Sequence, residues 1–277
     1  MILFYRRDLM EDAALQRAFL ERNRCELKVP TTYEEWIRQC AFFTRALNEE
    51  SLTPYGTALS RRATEQLAHL VAESPDGMLD DLERPEFIRA LRDHMRLTEL
   101  AIPDKGSHSW SMPVTNYINL ECMSVLVYAN YAERFSAIPL SSVSGRVGYA
   151  MAPGGSPLLG GGVLGVNQGS RHTAAAADLL SWIYSPQISR LLALISGASP
   201  CTFAYEDDQL LDIYPWLPIV RQSFEKGVRR GLFSRPHAGR DQLSMERIIG
   251  FYAMNAMKGV ISPEEALHQA AQVLKNP

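Results

Sequence analysis

The sequence contains no run of about eighteen uncharged apolar residues, so the simplest signal of a membrane-crossing helix is absent. Charge of one sign is scarce as well. The 28 basic and 31 acidic residues leave a formal net charge of -3, which offers no basic field for a phosphate backbone, and direct contact with nucleic acid is not expected. Cysteine is sparse: Cys25, Cys40, Cys122 and Cys201 stand far apart and form no C-x-x-C pair, which argues against a zinc knuckle or a thioredoxin-like motif and for free, structural thiols. The six histidines, His69, His94, His108, His172, His237 and His268, never fall at i and i+4 around a glutamate, so no metalloprotease helix is present and no metal is expected.

Other catalytic signatures are missing too. No G-x-S-x-G elbow occurs, and Ser156 is followed by Pro157 rather than by the helix such an elbow needs. The carboxylate pairs Glu34 with Glu35, Asp80 with Asp81, and Asp207 with Asp208 are adjacent, so they diverge on a helix and read as solvated caps and faces. Gly160-Gly161-Gly162-Val163-Leu164-Gly165 satisfies the G-x-G-x-x-G spacing, with Asp178 downstream. A dinucleotide fingerprint opens a helix directly, so that phosphate meets free amides at the positive end of the dipole. Here residues 158–166 read as a strand and the next helix waits until Thr173, so no nucleotide cofactor is expected, and the chain is not read as an enzyme.

What is present describes a folded α/β protein. With 277 residues, 46% apolar and 21% charged, the chain can bury a substantial core. Met1-Ile2-Leu3-Phe4-Tyr5 reads as a strand running into a helix at Arg6-Arg7-Asp8. Residues 8–23 are polar with helical spacing, and Thr32 with Glu35 forms a capping box ahead of a helix over 33–46. Turn-rich stretches at 48–55 and 73–77 follow, then a helix after Pro85 with Phe87, Ile88, Leu91 and Met95 on one face. Residues 122–127 suit a buried strand, and Val147 and Tyr149 alternate in another. Further helices are predicted at 173–184, 187–195 with a stop at Gly197, 245–258 with a stop at Gly259, and 263–274 behind Ser262.

A set of aromatic residues sits near predicted strand ends and loops: Tyr5, Trp110, Tyr117, Tyr128, Tyr131, Tyr149, Tyr214 and Trp216. Sugar rings present a face of C–H groups that packs on aromatic rings, while their hydroxyls require polar partners. Taken one at a time, each of these residues is equally at home in a core.

Several segments read in order resemble the bacterial sugar-binding proteins that feed ABC importers, the group that includes maltose-binding protein. Phe4-Tyr5-Arg6-Arg7-Asp8-Leu9 is similar to the family's strand-to-helix passage, and Pro30-Thr31-Thr32-Tyr33-Glu34-Glu35-Trp36 to a helix start. Gly145-Arg146-Val147-Gly148-Tyr149-Ala150-Met151-Ala152-Pro153-Gly154-Gly155 resembles a later strand, followed by Leu159-Gly160-Gly161. The stretch from Ala174 to Tyr184-Ser185-Pro186, and Ser262-Pro263-Glu264-Glu265-Ala266-Leu267, complete the series.

The resemblance implies a type II periplasmic-binding-protein-like fold, with a near-complete second lobe at 1–148 and 198–277 and a strand-and-helix fragment of the first lobe at 149–197. It implies a carbohydrate ligand held between lobes, ABC permease subunits as partners, and an extracytoplasmic location. The incomplete first lobe implies an N-terminal truncation, weak binding by this chain alone, and exposed apolar surface open to homodimer formation.

Carried over residue by residue, Tyr5 matches a ligand-contacting tyrosine, and Tyr131 a stacking tryptophan, with Tyr128 the alternative in a different loop register. Arg247 falls at a cleft-lining aromatic position, Trp110 lies in a tryptophan-containing region before a strand, and Gly160, Gly161 and Gly162 fall in the glycine segment. Gly162 departs from the pattern, since many members carry a stacking tryptophan there. A second resemblance, to effector-sensing modules of bacterial transcriptional regulators, rests on Tyr184-Ser185-Pro186, Tyr214-Pro215-Trp216-Leu217 and Arg229-Arg230, and implies a cytoplasmic location instead.

Overall fold

A computed structural model of the chain describes residues 1–60, 62–74, 78–103, 109–136, 141–154, 156–162, 164–227 and 241–275. In chain order the elements are β1 (Ile2–Arg6), α1 (Arg7–Met10), α2 (Ala13–Asn23), α3 (Tyr33–Phe42), β2 (Tyr55–Ala58), α4 (Ala63–Glu73), α5 (Pro85–Leu100), α6 (Ser111–Ile118) and β3 (Cys122–Val127). They continue with α7 (Ala132–Ser136), β4 (Val147–Met151), α8 (Thr173–Ile183), α9 (Pro186–Ser196), α10 (Asp208–Ile213), α11 (Leu217–Lys226), α12 (Gln242–Met257) and α13 (Pro263–Lys275). The predicted features at Pro75-Asp76-Gly77, His108, Gly155, Val163, Arg229-Arg230 and His237 lie outside the described residues.

The four strands form one mixed sheet in the order β2-β3-β1-β4. β1 is antiparallel to both neighbours, with Ile2 opposite Val127 and Met151, and β2 runs parallel to β3. The pleat sends alternate residues of β1 to opposite faces. Ile2 and Phe4 join Val125, Tyr117, Phe135 and Trp216 on one side. Met1 and Leu3 join Trp36, Cys40, Leu126 and Ala150 on the other. A third apolar cluster binds α4, α5, α12 and α13 through Leu70, Phe87, Ile249 and Leu267.

Trp36 ties α3 to the sheet, its Nε1 donating to Ser124 Oγ at 2.8 Å, while that hydroxyl donates to the Gly56 carbonyl at 3.1 Å. The capping box is half as predicted. Thr32 Oγ1 accepts from Glu35 N at 3.2 Å, but the Glu35 carboxylate reaches back to Thr31, accepting from its amide at 2.8 Å and its hydroxyl at 2.9 Å. Those bonds, the amide first, hold the Glu35 carboxyl below its usual range.

Two predicted elements are corrected. The helix expected over 33–46 ends at Phe42, because side chains take its last carbonyls: Asn48 Nδ2 donates to Phe42 O at 2.8 Å and Thr53 Oγ1 to Phe43 O at 2.7 Å. The strand expected over 158–166 does not form among the described residues. No strand runs alongside Leu164, Gly165 and Val166, and Leu164 is 64% exposed, so these apolar residues face solvent rather than a sheet.

Candidate functional site

The strand β3 ends at Val127 opposite Ile2, which brings Tyr128 level with Met1 at one end of the sheet. The segment after β4 returns to this point: the Met1 amine donates to the Leu158 carbonyl at 2.9 Å, and burial lowers that amine's pKa to about 5. Gly160 then passes under Tyr128. A Cβ at Gly160 would lie 2.1 Å from Tyr128 Cε1, so the backbone fits against the ring only without a side chain. On its other flank Tyr128 meets Trp110 edge-on, with centroids 5.1 Å apart at 63°.

A cavity of about 560 Å³ opens beside this contact. One wall is Tyr128, Ala129 and Asn130, and another is Gly160, Gly161 and Gly162. Ala198, Ser199 and Pro200 follow α9, and Val220, Ser223 and Phe224 come from one face of α11. Met1, Ile2 and Leu159 also line it, as does Tyr205, which is fixed by its hydroxyl donating to the Ser199 carbonyl at 2.7 Å. No Asp, Glu, Lys, Arg or His lies among these described lining residues. The walls offer aromatic faces, hydroxyls, an amide and glycine backbone, a mixture suited to neutral groups that donate and accept hydrogen bonds.

Two charged side chains outside the lining act on Tyr128. Burial raises the Tyr128 hydroxyl pKa, the Glu246 carboxylate adds to the shift, and the Arg62 guanidinium opposes it. Among the described residues, no cluster of three or more His, Cys, Asp or Glu side chains is placed to hold a metal ion.

The predicted site residues divide. Tyr128, Gly160, Gly161 and Gly162 line the cavity and Trp110 backs it. Tyr5, opposite Ser124 and Gly148, stands toward the other end of the sheet and lines a separate cavity of about 450 Å³ with Arg7, Tyr149 and Asp212. Tyr131 is one turn past Tyr128, its amide donating to the Tyr128 carbonyl at 3.1 Å, and it packs against the Ile2–Phe4 side of the sheet. Arg247 is exposed on the first turns of α12, and its neighbour Glu246 is the residue of that helix whose charge reaches Tyr128. The α11 contribution was not anticipated, although the i, i+3, i+4 spacing of Val220, Ser223 and Phe224 marks a single helix face. Tyr205 carries no comparable signal.

The family model for the bacterial extracellular solute-binding protein matches residues 1–189. The chain belongs to this family. The fold agrees: a solute-binding protein of an ABC transporter from Agrobacterium radiobacter K84, solved with ribitol, superimposes with a TM-score of 0.76 at 22% identity, over 99% of this chain and 68% of its own. The maltose-bound MalE3 of T. maritima gives 0.76 at 20% identity over 99% and 69%. The GacH receptor of Streptomyces glaucescens, solved unliganded and with acarbose, gives 0.77 at 20% over 98% and 67%.

This family member thus has a type II periplasmic-binding-protein-like α/β fold and spans about two thirds of these solved relatives. A curated relative, the probable amino-acid ABC transporter periplasmic-binding protein y4oP of Sinorhizobium fredii, is 39% identical over 80 residues. That match covers 29% of this chain and 18% of the relative.

Proposed function

We propose that the chain binds a neutral, polyhydroxylated ligand, a mono- or oligosaccharide or a sugar alcohol, as the substrate-binding component of an ABC importer acting outside the cytoplasm. The observation that carries this reading is the lining of the Tyr128 cavity: aromatic rings beside hydroxyl, amide and backbone groups, with no charged side chain among the described residues. Rings pack on the C–H faces of a sugar, and Ser199, Ser223, Asn130 and the Gly160–Gly162 backbone offer partners for its hydroxyls. Nothing in this mechanism alters the ligand; binding shifts a population of conformations that a permease reads.

In this reading residues 1–148 and 198–277 form the second lobe and 149–197 part of the first. The cavity then takes its walls from both, with Gly160–Gly162 in the first-lobe part and Ala198–Pro200 just after the chain returns to the second. The solved relatives with ribitol, maltose and acarbose support a carbohydrate class. The name of the Sinorhizobium relative favours an amino acid instead. A free amino acid carries an ammonium and a carboxylate, and holding both out of water calls for charged or charge-assisted partners. The described lining supplies no such side chain, which favours the carbohydrate.

Saturation-transfer NMR detects weak ligands, and it separates the two readings when the chain is mixed in turn with maltose, ribitol and a neutral amino acid. Transfer to maltose or ribitol that disappears in Tyr128→Ala is the expected result. Transfer to the amino acid alone, or transfer to sugars unchanged by Tyr128→Ala, would overturn the proposal.

A further inference from the structure

The cavity of about 450 Å³ that Tyr5 lines opens at the Arg7 end of β1, about 20 Å along the strand from Met1 and the Tyr128 cavity. Apart from Tyr149, its lining comes from 1–148 and 198–277, the part read above as the second lobe. A Cβ at Gly148 would lie 2.2 Å from Tyr5 Cζ and 2.6 Å from its hydroxyl oxygen, so the bare backbone of β4 lets that ring lie across the edge of the sheet. Tyr149, next along β4, is braced by Trp216, with centroids 5.6 Å apart at 51°, and the indole in turn donates to the Gly197 carbonyl at 2.8 Å. Arg7 is exposed, and its Nη2 donates to the Gly145 carbonyl at 3.0 Å. Burial raises the pKa of both phenols, Glu11 adding at Tyr5 and Ser136 opposing at Tyr149; the Arg7 charge opposes the rise at each, so the guanidinium stands near both rings. The facing wall is Asp212 and Ile213 at the end of α10, with Pro215 after it. Arg7 and Asp212 line one cleft without forming an ion pair, and neither has another ion-pair partner among the described residues.

We propose that this cleft binds a free α-amino acid with an apolar side chain, its carboxylate on Arg7 and its ammonium on Asp212. A guanidinium takes a carboxylate through parallel N–H bonds, and a carboxylate accepts from an ammonium, so both contacts are charge-assisted. An anion alone would face the Asp212 carboxylate, and a cation alone the Arg7 guanidinium. A neutral sugar would cover both charges and pair neither. A zwitterion satisfies the two together. Its side chain meets the rings of Tyr5 and Tyr149 with Pro215 and Ile213, the last 53% exposed. The volume falls within the roughly 300–1,000 Å³ of small-molecule sites. This site is separate from the Tyr128 cavity and does not rest on the carbohydrate reading.

Saturation-transfer NMR titrations of the chain with L-phenylalanine, its amide and its N-acetyl derivative test it. The amide lacks the carboxylate, and acetylation removes the ammonium. The wild-type chain is expected to bind the amino acid saturably and each derivative about tenfold more weakly or worse. Arg7→Gln abolishes the preference over the amide, and Asp212→Asn the preference over the N-acetyl form. Both side chains are exposed, so each variant keeps its far-UV circular dichroism. No sugar enters this experiment, so a failure of the carbohydrate reading leaves its outcome untouched. Absence of saturable transfer to L-phenylalanine overturns the proposal, as do equal affinities for the three probes. So does an affinity and preference that either substitution leaves unchanged.

Discussion

The ring of Tyr128 rests on the backbone of Gly160, at a separation that leaves no room for a methyl group. This contact joins the end of the central sheet to the segment leading toward α8, and both residues line the cavity.

Gly160→Ala is therefore expected to displace the Tyr128 ring and to destabilise the fold by about 1–3 kcal/mol, the usual cost of forcing a group into a packed contact. In the double variant with Tyr128→Ala the alanine methyl has space, so the two losses fall short of adding. Urea denaturation of the four proteins gives the cycle, and strict additivity would refute the contact.

Ser124 is a junction of buried polar groups. Its hydroxyl accepts from Trp36 and donates to Gly56, and its carbonyl accepts from Thr57 Oγ1 at 3.1 Å. Ser124→Ala strands the buried indole N–H and the Gly56 carbonyl, with an expected loss of about 1–3 kcal/mol. A denaturation midpoint equal to wild type would show that the network contributes nothing.

His69 is sealed between α3 and α5, stacked on Tyr33 with centroids 3.4 Å apart at 10° and edge-on to His94 at 5.8 Å. Burial first, and the neighbouring His94 second, hold its pKa well below the ordinary 6.5. The unfolded chain therefore binds a proton that the folded chain refuses, and stability falls as pH drops below 6.5. The slope approaches about 1.4 kcal/mol per pH unit for this one group. His69→Phe keeps an aromatic ring and removes the proton, so urea midpoints compared at about pH 7.5 and about pH 5.5 should converge relative to wild type. An unchanged pH dependence would place the effect elsewhere.

The four thiols should react in two classes. Cys40 and Cys122 are fully enclosed, burial pushing the first up to about 12 and the second well above its usual value, whereas Cys25 and Cys201 are partly open. Ellman's reagent is expected to titrate Cys25 and Cys201 in the native protein and the other pair only after unfolding. Four equally fast thiols would contradict the packing around α3 and β3.

Elements with an internal pattern were legible in the sequence. The run at Cys122–Val127, apolar but for Ser124, is a strand buried on both faces, and the helix start at Pro85 and the stops at Gly197 and Gly259 fall where backbone chemistry dictates. What depends on distant partners was hidden. The strand β2 is four residues with a glycine, and it exists because β3 lies alongside and because α3 comes so near that a Cβ at Gly56 would sit 2.3 Å from the Cys40 carbonyl. The stretch Leu164–Val166 failed as a strand for the converse reason, having no strand alongside it among the described residues. Of the residues singled out from the sequence, Tyr128 and the glycines line the candidate cavity, a ring and a bare backbone being readable signals. Tyr5 was set apart by strand register, which no local pattern reveals.

The position of β1 at the middle of the sheet bears on how the molecule is made. Its hydrogen-bonding edges stay unsatisfied until Cys122–Val127 and Val147–Met151 have emerged from the ribosome, since both of its partners come much later in the chain. Such distant closures make for slow assembly, and throughout that interval the nascent chain carries an unpaired Ile-Leu-Phe-Tyr edge, the kind of strand edge that favours wrong pairing.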